Sequence, residues 1–316
     1  MMSSTVDMAK SITIITTSKH QQTLRAQQTQ HSPHHRPKAM SRPWILISPS
    51  SRGVGAALTA HLLRTTRLPI LATTRSSPSE ARDRFLASVP QDAADRLHVV
   101  ALDVTREDTM AAAAERAAAL FPRKTHHLHL ALAIPGILHP EKNPAQVDYA
   151  RALATYQVNT LGPLMLMKHF HEFLPRNTTQ LAGPEETPGE EETGAQKVTL
   201  PRHATWLSMS ARVGSITDNR AGGWYSYRSS KTGVSSLVKS FDNYLKTRSG
   251  DKAVAVAFHP GTVKTDLSRD FWDSVPEGRL LEPDYAAERL VEVVSTGIGL
   301  EGRGKLWDWQ GEEIKP

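Results

Sequence analysis

Tyr227 and Lys231 stand four residues apart in Tyr225-Ser226-Tyr227-Arg228-Ser229-Ser230-Lys231, and the spacing puts both on one face of a helix. Tyr225 lacks such a partner, because Ser229 lies four residues on. A free phenol has a pKa of ~10 and is a reluctant proton carrier at neutral pH. A neighbouring ammonium favours the phenolate and draws that pKa toward the working range. The pair suits proton exchange with a carbonyl or alcohol oxygen.

A strand, a turn and a helix elsewhere in the chain supply a place for a phosphate. Trp44-Ile45-Leu46-Ile47 is a short apolar run, read as a buried strand. It is followed by Ser48-Pro49-Ser50-Ser51-Arg52-Gly53-Val54-Gly55 and then a helical pattern through Leu58, Leu62 and Leu63. Glycines there let backbone approach a pyrophosphate, and the helix N-terminus offers N–H donors. The candidate contacts are Ser48, Ser50, Ser51, Arg52, Gly53, Val54 and Gly55. A second strand, Pro69 to Thr74, ends at Arg75. An acidic residue there would bind a ribose 2′-hydroxyl, whereas arginine suits a 2′-phosphate, so the expected cofactor is NADP(H).

The remaining elements alternate. Strands are expected at Leu97 to Leu102, Leu128 to Ile134, Ala204 to Met209, Ala253 to Phe258 and Lys305 to Trp309. Helices are expected near Asp108 to Leu120, from Pro144 to Leu174, from the Tyr227 stretch to Leu245, and near Pro283 to Ser295. Pro163 should break the long helix and free the Asn159 carbonyl for an ordered water. His126-His127-Leu128-His129 reads as a polar lead-in to a strand. Residues 266–285, with Phe271 and Trp272, read as a flexible flap favouring an apolar or aromatic substrate. This alternation implies an α/β fold: a doubly wound Rossmann sheet of seven parallel strands flanked by helices, in a single domain at 43–316.

Composition sets limits. The chain has 316 residues, no cysteine and 39% hydrophobic residues, so thiol chemistry and disulfides are excluded. No apolar run reaches the ~18 residues of a membrane helix. Six cations against Asp7 alone give residues 1–42 a net +5 of the total +6, so the body carries no basic excess for nucleic acid. Those 42 residues read as a disordered tail, an over-extended start before Met40, or a mitochondrial presequence; the expected compartment is otherwise the cytoplasm. His31, His34 and His35 fall in this tail, and no metal site is expected. Residues 177–200, with Glu185, Glu186, Glu190, Glu191 and Glu192, read as a disordered acidic insertion.

Together, Ser51-Arg52-Gly53-Val54-Gly55, Asp103, Gln157-Val158-Asn159, Tyr227-x-x-x-Lys231 and Pro260-Gly261-Thr262-Val263-x-Thr265 resemble the classical type of short-chain dehydrogenase/reductase. Ile137-Leu138-His139-Pro140-Glu141-Lys142 and Gly222-Gly223-Trp224-Tyr225-Ser226-Tyr227 are similar to its C-factor-like and sniffer-like carbonyl reductase branch. The resemblance implies that Tyr227 gives the proton, Lys231 holds the nicotinamide ribose and Asn159 anchors a water. It implies that Asp103, with Val104, meets the adenine and that Gly136 passes the adenosine ribose. Pro260, Gly261, Val263 and Thr265 would face the nicotinamide. The implied function is reversible reduction of an aldehyde or ketone by a homodimer or homotetramer. Pro49 stands where the family has glycine, Ala133-Ile134-Pro135-Gly136 replaces Asn-Asn-Ala-Gly, and the catalytic serine position holds Ala211. Ser210 or Ser215 is the alternative donor, with Ser210 favoured. A cofactor-binding sensor without turnover, or a partner-binding scaffold using the acidic loop, are the competing classes.

Overall fold

The computed structural model describes residues 40–182 and 198–316, which form one compact unit. The readings made for residues 1–39 and for the acidic run at 183–197 lie outside the described residues. The flanks of both stretches are part of the body, which corrects the expected boundaries. Ser41 donates its N–H to the Gln180 carbonyl at 2.7 Å and accepts from the Ala182 N–H at 3.0 Å. On the far side, Val198 N–H donates to Thr65 and Leu200 is buried.

The strands are β1 (Arg42–Ser48), β2 (Ile70–Thr74), β3 (Leu97–Ala101), β4 (His126–Ala133), β5 (Ala204–Met209), β6 (Ala253–His259), β9 (Leu306–Asp308) and β10 (Glu313–Ile314). They form one eight-stranded sheet in the order β10-β9-β6-β5-β4-β1-β2-β3. Seven strands are parallel, as expected. The eighth, β10, is antiparallel to β9 and only two residues long, too short to leave a periodic signal. A further short pair, β7 (Thr262–Val263) and β8 (Leu280–Leu281), stands apart from the sheet.

Side-chain alternation along the strands builds two cores. Ile45 and Ile47 point into one, where α1 (Gly53–Thr65), α2 (Pro78–Leu86) and α7 (Pro283–Glu292) pack. Trp44 and Leu46 point into the other, beneath α3 (Glu107–Leu120), α5 (Gly162–Phe170) and α6 (Tyr225–Ser249), while α4 (Tyr149–Tyr156) packs on α6. On β6 the second face carries only Ala253, Ala255 and Ala257, and these short side chains let α6 lie close to the sheet.

The long helix expected from Pro144 is divided. Pro144–Gln146 is a single 3-10 turn, and α4 starts at Tyr149, where Asp148 Oδ1 accepts the Arg151 N–H at 2.8 Å. Between α4 and α5 the backbone widens into a π-turn at Gln157–Leu161, with Gly162 N–H donating to Gln157. Pro163 is thus the second residue of α5, where its missing N–H costs nothing. The strand order reverses between β4 and β1, and the loops at the carboxyl ends of the strands open a crevice there.

Candidate active site

Tyr227 and Lys231 lie in the first two turns of α6, both buried. The Lys231 Nζ sits 5.9 Å from the Tyr227 ring centre. Its ammonium donates to the Met209 carbonyl at the end of β5 (2.8 Å) and to the Pro135 carbonyl after β4 (3.5 Å). A Cβ on Gly136 would stand 3.7 Å from that Nζ, so Gly136 borders the same space. Burial pushes the Tyr227 phenol up to about 12 and the Lys231 ammonium down to about 7. The expected lowering of the tyrosine by Lys231 is not what the fold produces: burial sets the direction, and it is upward.

Asn159 is buried in the π-turn, and it is its side chain that reaches α6 and the loop after β4. Its Oδ1 accepts the Ile137 N–H at 2.8 Å, and its Nδ2 donates to the Ile137 carbonyl at 3.0 Å and to Ser230 Oγ at 3.1 Å. Ser230 in turn donates to the Tyr227 carbonyl. Asn159 therefore fixes the β4 loop and α6 to each other.

Both candidate serine hydroxyls have protein partners. The Ser210 hydroxyl is spent on the Lys231 carbonyl (3.0 Å) and shares a bond with Ser235. Ser215 donates to the Lys315 carbonyl at 2.5 Å and accepts from the Asp218 N–H. Ser210, the favoured donor, is thus a brace between β5 and α6, and Ala211 occupies the family position, buried.

Around the phosphate turn the expected residues divide. The hydroxyls of Ser48 and Ser50 are buried against β2: Thr73 donates to Ser48 Oγ, and Ser50 donates to the Thr73 carbonyl, each at 2.9 Å. They brace the sheet and are not free for a ligand. The N-terminus of α1 carries no side-chain cap and no acidic residue in its first turn. A Cβ on Gly53, at φ 54°, would meet the Thr265 side chain at 3.3 Å, so the turn faces the loop after β6. Gly55 has no room at all, since a Cβ there would enter the Pro49 carbonyl oxygen. Where the family has Asn-Asn, Ala133 and Ile134 continue the β1–β4 ladder, with Ile134 N–H donating to the Ser48 carbonyl at 2.7 Å.

Arg52 and Arg75 are exposed, and neither forms a salt bridge among the described residues. Burial raises the Asp103 carboxyl, but two bonds from Thr105 and the Arg75 and Arg106 charges outweigh it and hold it below the usual range. Val104 packs over Gly162 at the start of α5. Pro260 and Gly261 turn out of β6. Val263 is buried in β7 against Leu281, and Thr265 hydrogen-bonds Ser268.

Two residues of the branch motifs that received no individual role from the sequence join the site. Trp224 stands edge-on to Tyr227 (6.1 Å) and tilted against Phe271 (4.9 Å). Glu141 is buried under the start of α6. The span from 266 to 285 is anchored by the β7–β8 pair and a 3-10 turn at Arg269–Ser274. Trp272 faces Ser268 and Lys264, so Phe271 alone of that pair meets the tyrosine's aromatic neighbours. His127 and His129 lie inside β4 and are buried, not in a polar lead-in. Among the described residues no three His, Asp or Glu side chains are grouped to hold a metal, and no helix is long and apolar enough to cross a membrane.

A doubly wound sheet with a tyrosine–lysine pair beside its crevice defines a Rossmann-type oxidoreductase. The comparisons agree. No family model matches the chain. It is 30% identical over 168 residues to the C-signal protein of Myxococcus xanthus, covering 53% of this chain and 80% of that one. The NADPH-bound carbonyl reductase from chicken fatty liver superposes with a TM-score of 0.69 at 22% identity, over 88% of this chain and all of that one. The carbonyl reductase Sniffer of D. melanogaster gives 0.67, also at 22% identity and the same coverage. The chain belongs to the short-chain dehydrogenase/reductase family.

Proposed function

We propose that the protein is an NADP(H)-dependent reductase of aldehydes or ketones, with Tyr227 as the proton donor. The observation that carries this reading is the buried Tyr227–Lys231 pair bordered by Gly136. The uncapped N-terminus of α1 and the exposed Arg75, which forms no salt bridge among the described residues, fit a dinucleotide with a 2′-phosphate. Ser51, Arg52, Gly53 and Val54 would hold the pyrophosphate, Arg75 the 2′-phosphate, Asp103 the adenine end, and Gly261 and Thr265 the nicotinamide end. The bound cofactor supplies the hydride that adds to the carbonyl carbon.

The chain's own residues handle the proton. Tyr227, kept as the neutral phenol by burial, gives its proton to the substrate oxygen as negative charge develops there. The Tyr227 phenolate left behind is stabilised by protonated Lys231, whose remaining hydrogen bonds to Met209 and Pro135 hold it in register. Running the steps backward oxidises an alcohol. The named neighbours, one of them NADPH-bound, support this assignment. Tyr149, Leu153 and Leu161 stay exposed on α4 and the π-turn, an apolar face that suits a second copy of the chain.

A second reading, a cofactor-binding signalling protein with little turnover, is favoured by Ala211 and by the relative named C-signal. One experiment separates them. Purified protein is titrated with NADPH and NADH, then assayed on a panel of carbonyl compounds. The reductase reading expects tight NADPH binding, weak NADH binding and consumption of NADPH. Arg75→Ala should weaken NADPH ~10–100-fold and leave NADH unchanged, since only a charge-assisted contact is lost. Tyr227→Phe should abolish turnover and keep NADPH binding. Binding without turnover on any carbonyl would favour the signalling reading.

A further inference from the structure

The loop that leaves β4 is fastened at three points. Lys231 holds the Pro135 carbonyl and Asn159 holds both backbone groups of Ile137. The third fastening is Glu141, only 3% exposed. One carboxylate oxygen accepts the Ser226 N–H at 2.9 Å and the other accepts the Ser226 hydroxyl at 2.6 Å. Its backbone carbonyl accepts the Trp224 N–H at 2.6 Å. α6 has no cap from its own N-cap residue and no acidic residue in its first turn. Glu141 therefore caps the helix from 85 residues away, and an anion is the favoured partner at that positive end.

The segment so held is strained. Gly222 and Gly223 have φ of 63° and 66°, and Trp224 follows at φ 49° and ψ 45°. Among the described residues Trp224 is the one non-glycine with positive φ. Glycine would adopt that conformation without strain, so the backbone gives no reason for tryptophan. The side chain does: its indole stands between Tyr227 and Phe271. Gly223 is also constrained, since a Cβ there would come within 3.2 Å of the Glu141 carbonyl oxygen.

We propose that Glu141 is a positioning residue for the reaction: its carboxylate, sealed beneath the first turn of α6, sets Tyr227 and the Trp224 indole against the substrate carbonyl. The indole and Phe271 then form a wall that selects a flat, aryl-substituted carbonyl compound over a small alkyl one. The catalytic half of this proposal rests on the reductase reading, and the clamp itself does not.

The test uses the full chain loaded with NADPH, with benzaldehyde and propanal as probes. Glu141→Ala should lower kcat ~10–100-fold, because small misplacements of a reacting group have costs of that size. It should also pull the benzaldehyde-to-propanal ratio of kcat/KM toward one, with the NADPH Kd held within about twofold. Glu141→Gln, which can still accept from the Ser226 N–H, should restore most of the rate and of the ratio. An unchanged ratio in Glu141→Ala, or no rescue by glutamine, would reduce Glu141 to a plain helix cap and overturn the proposal. Amide hydrogen exchange checks the clamp without turnover. Glu141→Ala should speed exchange at residues 225–228 at least ~10-fold while β5 and β6 stay protected. Unchanged exchange there overturns the clamp. If wild type consumes NADPH with no compound of the carbonyl panel while exchange responds as expected, the reductase reading fails and the clamp stands.

Discussion

Lys231 and Tyr227 share one buried space, and burial moves each toward its neutral form. The pair is legible from sequence because a spacing of four residues within one helix carries it. The balance between burial and charge is not, because it depends on Met209, Pro135 and Gly136, which arrive from other strands. The same distance hides the roles of the serines. Ser210 looks like a donor in the sequence, yet its hydroxyl faces the Lys231 carbonyl. Ala211 holds the position next to it, buried and without a polar atom. Restoring a hydroxyl there gives a direct prediction. Ala211→Ser should raise kcat for carbonyl reduction ~10-fold or more with NADPH affinity unchanged, since one donor aimed at a developing oxyanion is worth at least that. A variant with wild-type kcat would show that residue 211 does not face the substrate oxygen.

At the scale of elements, strand, turn and helix from Trp44 to Leu63 were readable, because apolar runs and glycines mark them locally. The division of the Pro144–Leu174 helix was not, since the π-turn at Asn159 follows from contacts with Ile137 and Ser230 and leaves no mark in periodicity. The anchoring of residues 266–285 was hidden for a similar reason: β7 and β8 are two residues each and pair across the whole loop. The turn before α1 makes the sharpest demand on a single position. Gly55 presses on the Pro49 carbonyl, so a methyl there must push α1 away from β1. Gly55→Ala should cost about 1–3 kcal/mol of stability, the range for overpacking, and weaken NADPH binding by shifting the α1 amides. Gly299→Ala is the control, as open space surrounds that glycine and its φ is negative. Equal melting temperatures for the two variants would refute the packing argument.

Across the whole molecule, the amino-terminal end of the central strands, opposite the crevice, is closed by a chain of hydrogen bonds through two buried histidines of β4. Pro201 has only a carbonyl to offer, so His129 Nε2 donates to it at 2.9 Å and His129 Nδ1 must accept. His127 Nε2 donates to that nitrogen at 3.2 Å, which leaves His127 Nδ1 to accept from the Ser41 hydroxyl at 3.1 Å. The relay works only with both rings neutral, and it joins the entry to β1, the middle of the sheet and the return from the 183–197 stretch. Burial drives the pKa of His127 to about 3, with the His129 ring adding to it, and that of His129 to about 4. The unfolded chain therefore binds more protons than the folded one below pH ~6.5. The contribution of the pair is fully present above that pH and is lost as pH falls through 6.5 toward 4. Each histidine adds a slope of ~1.4 kcal/mol per pH unit over the window where only the unfolded state is protonated. Between pH 6.5 and 5 most carboxylates stay ionised in both states, so urea melts there report mainly histidines. His129→Gln keeps a donor for Pro201 and removes one titrating ring. Its stability should fall less steeply over that interval than wild type, by up to ~1.4 kcal/mol per pH unit. Parallel stability curves for the two proteins would mean that His129 is protonated as readily in the fold as in the open chain, and the closed relay would be wrong.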